Sequence, residues 1–422
     1  MRSLEPFTGV MQPESAGDAL PTVTLGFIPL TDCAVLAVAR ELGFAAREGI
    51  DLRLVREVSW ANIRDKVALG LLNGAQMLAG MPIATALGIN QARMHMLAPF
   101  CLSRNGNAIS VSRALYAELA KQGDPSAGAA EAGKALAKVI DERRKSGVPV
   151  LTFGMVYPFS CHNYELRYWM AASGIDPDGD VRLVVIPPPL MVDSLRAGHV
   201  DGFCVGEPWN SLAVEAGLGR IIASKAELWR RGVEKVLCVP ECWAEDNPEV
   251  LAALVRALDR AAAWADDPEN RAQLVDLLAG ASYLDLPAAV ITRALAGNMA
   301  VGSGEPPRKV DDFLILHRER ANDPSITQAL WIYAQMVRWG QITRRPGDET
   351  RVRAVFRPDI YHAALAGRPW FSDAAAPEPD ITPLDATVFF DGRPFDPTRI
   401  DAYLAENGGS FGTGIGGGLP VP

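Results

Sequence analysis

The chain has 422 residues, which is enough for two or three domains at about 150 residues each. Hydrophobic residues make up 49% of it and charged residues 22%, so disorder or a collagen-like repeat is excluded as its main state. The 41 basic and 50 acidic residues leave a net charge of −9, which argues against nucleic acid or an anionic membrane as the principal partner. Six cysteines are too few for a disulfide scaffold.

The first 21 residues contain no basic start followed by an apolar stretch of about 7–15 residues, so they predict no secretory signal peptide. No part of the sequence reaches the ~18 uninterrupted apolar residues of a membrane span. Taken as a native start, this N-terminus predicts a cytoplasmic protein without a membrane partner.

The folded part opens with a predicted strand at 22–30, a helix at 33–49 and a strand at 50–57. These three elements form a β–α–β unit and therefore predict a parallel sheet. Further helices are predicted around 63–72, 125–147, 161–173 and 190–197. Further strands are predicted at 108–112, 148–154, 181–186, 200–205, 220–224 and 235–239, with an apolar segment at 75–79. Asn247 and Asp267, each followed by Pro-Glu, are predicted to cap helices with their side chains before an N1 proline, in a mostly helical region that runs to about residue 340.

Two α/β units in series, followed by helices, predict a two-lobed α/β protein with its ligand in the cleft between the lobes. The predicted organisation is a flexible N-terminus at 1–21, the first part of lobe 1 at 22–110, lobe 2 at 111–237, the mostly helical return to lobe 1 at 238–345, and a C-terminal extension with a Gly-rich tail at 346–422.

Few features of the sequence indicate catalysis. The HExxH, CxxC and GxxxxGK[ST] motifs do not occur. Cys161 and His162 are adjacent and would point in different directions on a helix, so we favour a packed thiol beside a ligand-facing imidazole over a nucleophile–base pair. Cys238 and Cys242 have no further ligands at zinc spacing. The prediction is a binding protein without a cofactor.

A binding signal lies in residues 152–174, where a predicted strand ends, a Gly/Pro-containing loop turns, and Ser160 or His162 opens a helix. The free N–H groups and positive dipole end of a helix start favour an anion, and His162 adds a directional donor. Three prolines at 187–189 and the Gly-Glu-Pro-Trp at 206–209 follow later strands and fit a rigid cleft wall. Ordinary strand–loop–helix connections remain the alternative for both segments.

Segments 25–54, 58–78, 167–181 and 186–210 together resemble the nitrate- and bicarbonate-binding proteins of ABC importers and their cytoplasmic sensor relatives. The string IPPP…FCVGEPW is the most specific part, and the resemblance covers most of 22–341. It implies an α/β, two-lobed type II periplasmic-binding-protein fold with an anion in the interlobe cleft.

The resemblance implies that the anion is bound by Trp60, Asn107, His162 and Lys235. Three further residues, in the strand–loop–helix segments described above, are predicted to support these ligands: Gly154, Ser160 and Glu207. Asn107 departs from the glutamine of the family. Bicarbonate-binding relatives carry an acidic residue with a bound calcium near the position of Lys235, so the lysine implies nitrate or nitrite and no metal. A dehydrated oxyanion needs N–H donors and a counter-charge, and these residue types supply both.

Because no export signal is evident, the chain resembles most the cytoplasmic nitrate/nitrite-sensor branch (NasS-like). That branch implies an RNA-binding antiterminator of the response-regulator type (NasT-like) as partner, released when nitrate binds. Two other functions stay open: the solute-binding subunit of a nitrate/nitrite ABC importer, and an enzyme on the same fold. Cell fractionation separates the first two, and turnover assays test the third.

Overall fold

The computed structural model describes residues 20–89, 94–299, 301–302, 304–371 and 381–407. Nearly all of the predicted flexible N-terminus and the whole Gly-rich tail lie outside these ranges. Within them, no helix combines the length and apolarity needed to cross a membrane.

The strands are β1 Thr22–Phe27, β2 Asp51–Arg56, β3 Gly74–Leu78, β4 Met96–Asn105, β5 Asn107–Ser112, β6 Leu151–Met155, β7 Val181–Val185, β8 Gly202–Gly206, β9 Gly219–Ser224, β10 Val233–Pro240, β11 Asn298–Met299, β12 Arg308–Lys309 and β13 Leu314–Ile315. The helices are α1 Ala34–Glu41, α2 Phe44–Arg47, α3 Trp60–Ala68, α4 Gly80–Ala86, α5 Arg113–Gln122, α6 Ala129–Lys145, α7 Cys161–Ala172, α8 Met191–Arg196, α9 Trp209–Glu215, α10 Lys225–Leu228, α11 Glu241–Asp246, α12 Pro248–Asp266, α13 Arg271–Ala279, α14 Ala288–Ala296, α15 Ile326–Arg338, α16 Asp348–Arg353, α17 Pro358–Leu365 and α18 Ile400–Asn407.

Two separate sheets form the two lobes. The first has the order β13-β4-β10-β3-β1-β2, and β1 pairs in parallel with β2 and β3, as the β–α–β pattern predicts. Strand β10 lies between β3 and β4 and runs antiparallel to both. The second sheet has the order β7-β6-β8-β5-β9, in which β6 runs parallel to β7 and β8. The predicted two-lobed α/β architecture is confirmed.

The chain crosses between the sheets at two adjacent places. The first crossing is at Gly106, which has a φ of +87° and where a Cβ would lie 2.9 Å from Leu314 Cδ1. The second lies between β9 and β10, and the two crossings are joined by the Asn105 N–H, which donates to the Gly232 carbonyl at 3.0 Å. Both crossings precede the predicted lobe boundaries, 110/111 and 237/238, which fall inside β5 and β10.

Each lobe has its own helical cover. Helix α12 carries buried apolar residues at helical spacing and packs on α1, which covers the first sheet. In the second lobe, the Trp169 indole N–H donates to the Ala129 carbonyl at 2.7 Å and so ties α7 to α6. Leu136 and Phe153 belong to the same buried hydrophobic cluster as Trp169.

The C-terminal extension folds onto both lobes. Phe389 is buried, with ring centroids 5.4 Å from Trp331 on α15 and 6.2 Å from Trp229, which follows α10. The Tyr168 hydroxyl of α7 donates to Asp391 at 2.6 Å. The described part of the extension therefore connects α15 of the first lobe to α7 of the second.

Some predicted element ends differ from the structure. The helix predicted at 33–49 is two helices, and the one predicted at 63–72 begins three residues earlier, because the Ser59 hydroxyl accepts the Asn62 N–H at 3.2 Å. Asp267 caps as predicted by accepting the Glu269 N–H at 3.0 Å. The capping prediction for Asn247 is wrong, since its side chain donates to the Trp243 carbonyl at 2.9 Å.

Candidate functional site

The two lobes are closed against each other along the carboxyl ends of their parallel strands. The Thr31 N–H donates to the Glu207 carbonyl at 2.8 Å, and the Trp209 indole N–H donates to the Pro29 carbonyl at 3.2 Å. The Arg64 guanidinium of α3 also donates across the cleft, to the Tyr157 hydroxyl at 2.8 Å. The polar side chains between the lobes are therefore sealed from solvent.

The four predicted anion ligands come from four elements that meet in this sealed cleft. Trp60 opens α3, Asn107 opens β5, His162 is the second residue of α7, and Lys235 lies in β10. All four are at most 1% exposed. The Lys235 ammonium lies 5.6 Å from the centre of the Trp60 ring. The structure therefore brings the predicted residues together.

The carboxylate of Glu234 lies at the centre of this group. Its Oε1 is 2.9 Å from Lys235 Nζ and 3.6 Å from His162 Nδ1, and its Oε2 accepts the Asn107 amide N–H at 2.6 Å. Three of the four predicted donors thus surround one carboxylate of the chain itself. Sequence analysis did not predict Glu234 as a site residue.

A second buried cation completes the surroundings of Glu234. Lys225 Nζ is 2.7 Å from Glu234 Oε2 and 2.7 Å from Glu165 Oε1, and it also donates to the Val233 carbonyl at 2.8 Å. Glu165 accepts a longer bond of 3.3 Å from the Asn107 amide. Lys225 therefore links two carboxylates and uses all three of its N–H donors.

Lys235 is neutralised from both sides. Besides Glu234, it pairs with Asp32 Oδ2 at 3.0 Å. The other oxygen of Asp32 accepts the Gln76 amide N–H, and the Gln76 carbonyl oxygen accepts the Ile28 N–H at 2.9 Å. The counter-charge predicted at Lys235 is therefore present but already shared by two carboxylates.

Burial sets the protonation states in the cluster. It lowers the pKa of His162 to about 3, so the imidazole is neutral, and it raises the pKa of Glu165 to about 7. Burial also opposes ionisation of Glu234, but the ammonium groups of Lys225 and Lys235 outweigh it and hold the pKa of Glu234 well below its usual range. Near pH 7 the cluster is thus a network of ionised groups around a neutral imidazole, with Glu165 partly protonated.

Several buried polar atoms of the site have no hydrogen-bond partner within the described ranges. They are Trp60 Nε1, both ring nitrogens of His162, and Asn107 Oδ1. Two of these atoms lie next to Gly206, where a Cβ would be 3.5 Å from Asn107 Oδ1 and 3.8 Å from His162 Nε2. Unpaired buried polar atoms are costly. The position of these two atoms beside a residue without a side chain indicates a seat for a small polar ligand.

The three predicted supporting residues have different roles. The Ser160 hydroxyl accepts the Asn163 N–H at 3.1 Å and caps α7, which positions His162. The Glu207 carboxylate accepts the Ser211 N–H at 3.1 Å and caps α9, while its carbonyl joins the lobes through Thr31. Gly154 lies against α8, where a Cβ would be 2.8 Å from Met191 Sδ, and its role beside the ligands stays a prediction.

The site offers neither a nucleophile nor a vacant cation position among the described residues. The Cys161 thiol donates to the Val233 carbonyl at 3.3 Å, and burial holds its pKa well above the usual range. Cys161, Glu165 and Glu234 place ligand-type atoms within 4.8 Å of one another. However, the Lys225 ammonium already bridges the two carboxylates and supplies the positive charge there.

Five charged or polar residues of the site were not predicted from the sequence: Asp32, Gln76, Glu165, Lys225 and Glu234. Local signals were available for three of them. Gln76 interrupts the apolar segment 75–79, and Glu165 stands three positions after His162 and so shares its helix face. Lys225 directly follows the end of β9, at a strand end where the cleft was expected.

Comparisons with known proteins agree with the fold and the cleft. A model of the NMT1-like family matches residues 16–279. The nitrate/nitrite binding protein NrtA of Synechococcus elongatus is 34% identical over 403 residues, which cover 92% of this chain and 87% of NrtA. The bicarbonate transport ATP-binding protein CmpC of Synechocystis is 41% identical over 384 residues, which cover 90% of this chain but only 54% of CmpC.

The crystal structure of the periplasmic nitrate-binding protein NrtA from Synechocystis is similar over most of the chain. It superimposes with a TM-score of 0.83 at 28% identity, covering 92% of this chain and 98% of that one. The predicted periplasmic-binding-protein fold is therefore confirmed.

Proposed function

The chain belongs to the NMT1-like family, and on that premise we propose that it is a solute-binding protein that closes its two lobes around one nitrate or nitrite ion. The convergence of donors on Glu234 carries the proposal. A carboxylate is itself a planar, singly charged oxyanion, so donors that surround one suit nitrate equally well. The ligand sits beside Glu234, on the atoms of Trp60 and His162 that lack partners.

Calorimetry on the purified protein with nitrate, nitrite, bicarbonate and sulfate tests this proposal. We expect nitrate and nitrite to bind at about micromolar strength, or about −8 kcal/mol. Sulfate should bind much more weakly, because it brings twice the negative charge of nitrate into a buried cluster whose two lysines are already paired. Absence of nitrate binding would refute the proposal.

Ligand binding should favour the closed arrangement, since Trp60 and Lys235 belong to the first lobe and His162 and Asn107 to the second. Saturating nitrate should therefore reduce the radius of gyration in solution scattering and raise the melting temperature. Identical scattering with and without nitrate would contradict a closure linked to the ligand.

Bicarbonate is a second candidate ligand because of one observation. Glu234 is an ionised acceptor at the seat, and bicarbonate carries an O–H that can donate to it, whereas nitrate has no hydrogen. Glu234→Gln, which preserves size, should weaken bicarbonate more than nitrate if both bind. We propose that neither ligand needs a metal, because Lys225 supplies the charge between the carboxylates. Dialysis against EDTA should then leave the affinity unchanged.

Among cellular roles, we propose the solute-binding subunit of a nitrate/nitrite ABC importer, which the similarity to NrtA over 92% of this chain supports. A cytoplasmic sensor that controls an antiterminator is the competing hypothesis. Fractionation decides between them, with the importer subunit expected in the cell envelope and the sensor in the cytoplasm. A protein that co-purifies without nitrate and elutes with millimolar nitrate would favour the sensor.

A further inference from the structure

The two lobes touch backbone to backbone at Gly80, the buried first residue of α4 in the first lobe. A Cβ at Gly80 would lie 2.4 Å from the carbonyl oxygen of Phe159, in the loop between β6 and α7 of the second lobe. Within its own lobe the same Cβ would meet Ile332 Cγ2 at 3.5 Å, which is an ordinary contact distance. The side chain that residue 80 lacks is therefore excluded by the other lobe.

The loop that carries Phe159 makes a second contact between the lobes. The Tyr157 hydroxyl accepts the Arg64 guanidinium of α3 at 2.8 Å. Arg64 also donates to Asp65 on its own helix at 2.8 Å, so it keeps one partner when the lobes part. The Ser160 hydroxyl donates to the Tyr157 carbonyl at 2.6 Å and fixes the loop to the start of α7.

Both sides of the second contact lie on elements that carry a predicted ligand. Arg64 stands four positions after Trp60 on α3, so the two side chains share one helix face. On the other lobe, the loop that begins with Tyr157 leads directly to His162 on α7. The contact therefore joins the elements that supply the Trp60 and His162 nitrogens of the seat, although Arg64 and Tyr157 lie outside it.

Resting on the proposed function, we infer that Gly80 and Tyr157 are positioning residues that set the anion affinity through closure of the lobes. Contacts made only in the closed arrangement shift the equilibrium towards it, and the apparent affinity scales with the closed fraction. Because neither residue touches the anion, a change at either should alter the affinity for nitrate and for nitrite by the same factor. A residue that contacts the ligand would change the ratio of the two affinities.

Gly80→Ala separates closure from folding. The added methyl group collides with Phe159 only when the lobes are closed, and alanine favours a helix more than glycine does. In calorimetry, the Kd values for nitrate and nitrite should both rise by one factor of at least about ten, because overpacking opposes the closed arrangement. The midpoint of urea unfolding of the ligand-free variant should stay close to that of the wild type.

Gly133→Ala is the matched control, since Gly133 is also a tightly packed helix glycine. A Cβ there would lie 2.0 Å from Ser173 Oγ and 3.1 Å from Trp169 Nε1, and all three residues belong to the second lobe. The collision is present whether the lobes are open or closed. We therefore expect the opposite result, with a lower urea midpoint and unchanged Kd values for both anions.

Tyr157→Phe is a second, gentler variant because it removes only the hydroxyl that accepts from Arg64. The Kd values for nitrate and nitrite should rise together by about two- to tenfold, the range for one net hydrogen bond. Tyr283→Phe is its control, because it removes a hydroxyl bond to Glu41 at 2.6 Å that lies within the first lobe. Its Kd values should equal those of the wild type.

Three results would overturn the inference. Wild-type affinity in both Gly80→Ala and Tyr157→Phe would show that these contacts do not govern closure. Unequal factors for nitrate and nitrite would make the residues direct ligand contacts. An equal loss of affinity in Gly133→Ala or Tyr283→Phe would reduce the effect to a general loss of stability. If Gly80→Ala does not fold, Tyr157→Phe decides alone. Absence of nitrate and nitrite binding to the wild type is a different result, because it refutes the proposed function and the inference with it.

Discussion

Replacing Lys235 by methionine should reveal how far the cleft depends on its internal ion pairs. Lys235 is fully buried and lies 3.0 Å from Asp32 and 2.9 Å from Glu234. Methionine keeps most of the side-chain volume but removes the charge. Glu234 retains Lys225, whereas Asp32 retains only the amide of Gln76.

The losses of stability and of nitrate affinity expected for Lys235→Met follow from this imbalance. Removing one partner of a buried ion pair usually costs about 3–5 kcal/mol, because the remaining charge is left uncompensated. We expect Lys235→Met to lower the free energy of unfolding by that amount. The nitrate affinity should fall roughly 10- to 150-fold, since a hydrogen bond to a charged group contributes about 1.5–3 kcal/mol.

Urea unfolding and nitrate calorimetry measure the two effects. Lys134→Met is the matched control, because it also removes one ammonium from an ion pair, with Glu131 at 2.8 Å, but one that is 65% exposed at the lysine. Its cost should stay below about 1 kcal/mol. In the double variant with Asp32→Asn, part of the lost stability should return, because the uncompensated charge is gone.

A loss of less than about 1 kcal/mol in the unfolding free energy of Lys235→Met would show that other groups compensate the charges of Asp32 and Glu234. If the double variant were less stable than Lys235→Met alone, Asp32 would not be the destabilising charge. Either result would refute the account of the cleft as a network that neutralises itself.

Three further predictions concern other parts of the structure. His162 stays neutral in the folded protein, whereas its imidazole takes up a proton in the unfolded chain as the pH falls below 6.5. Between pH 6.5 and 3 the wild type should therefore lose up to about 1.4 kcal/mol of unfolding free energy per pH unit relative to His162→Gln. Urea unfolding measures this loss, and equal pH dependence of the two proteins would contradict it. Gly206→Ala should fill the seat and weaken nitrate at least about tenfold in calorimetry, at a cost in stability of about 1 kcal/mol; unchanged affinity would place the ligand elsewhere. Phe389→Ala should cost about 3–5 kcal/mol in thermal or urea unfolding because the ring packs on Trp229 and Trp331, and a cost near zero would make the extension dispensable.

The sequence predicted the donors of the site better than its acids. Trp60 and His162 stand at helix starts, where local pattern and the family resemblance both point, whereas Lys235 lies inside β10 and was predicted from the resemblance alone. The local signals at Glu165 and Lys225, a helix face shared with His162 and a position directly after β9, do not show that the two side chains meet. Only the tertiary fold brings them within bonding distance, because the sequence separation between Glu165 and Lys225 carries no local signal.

The same limit applies to the fold. The β–α–β alternation is written in the periodicity of the apolar residues, and it predicted most strands. Strand β4 was missed because Pro99 interrupts its apolar run and argues against a strand. The exact positions where the chain crosses between the two sheets could not be predicted either. A side chain is excluded at Gly106 by the close approach of Leu314, which is more than 200 residues away in the sequence.

The position of β10 has a consequence for how the protein is synthesised. Strand β10 lies between β3 and β4, yet it leaves the ribosome only after the whole second sheet has been made. At 5–20 residues per second, the roughly 130 residues between β4 and β10 take about 6–25 s to translate. During that time the facing edges of β3 and β4 have no strand to pair with, and unpaired edges attract other chains. We therefore expect the nascent chain to need chaperone protection until β10 emerges, whereas the second sheet, which is continuous in sequence, can form first.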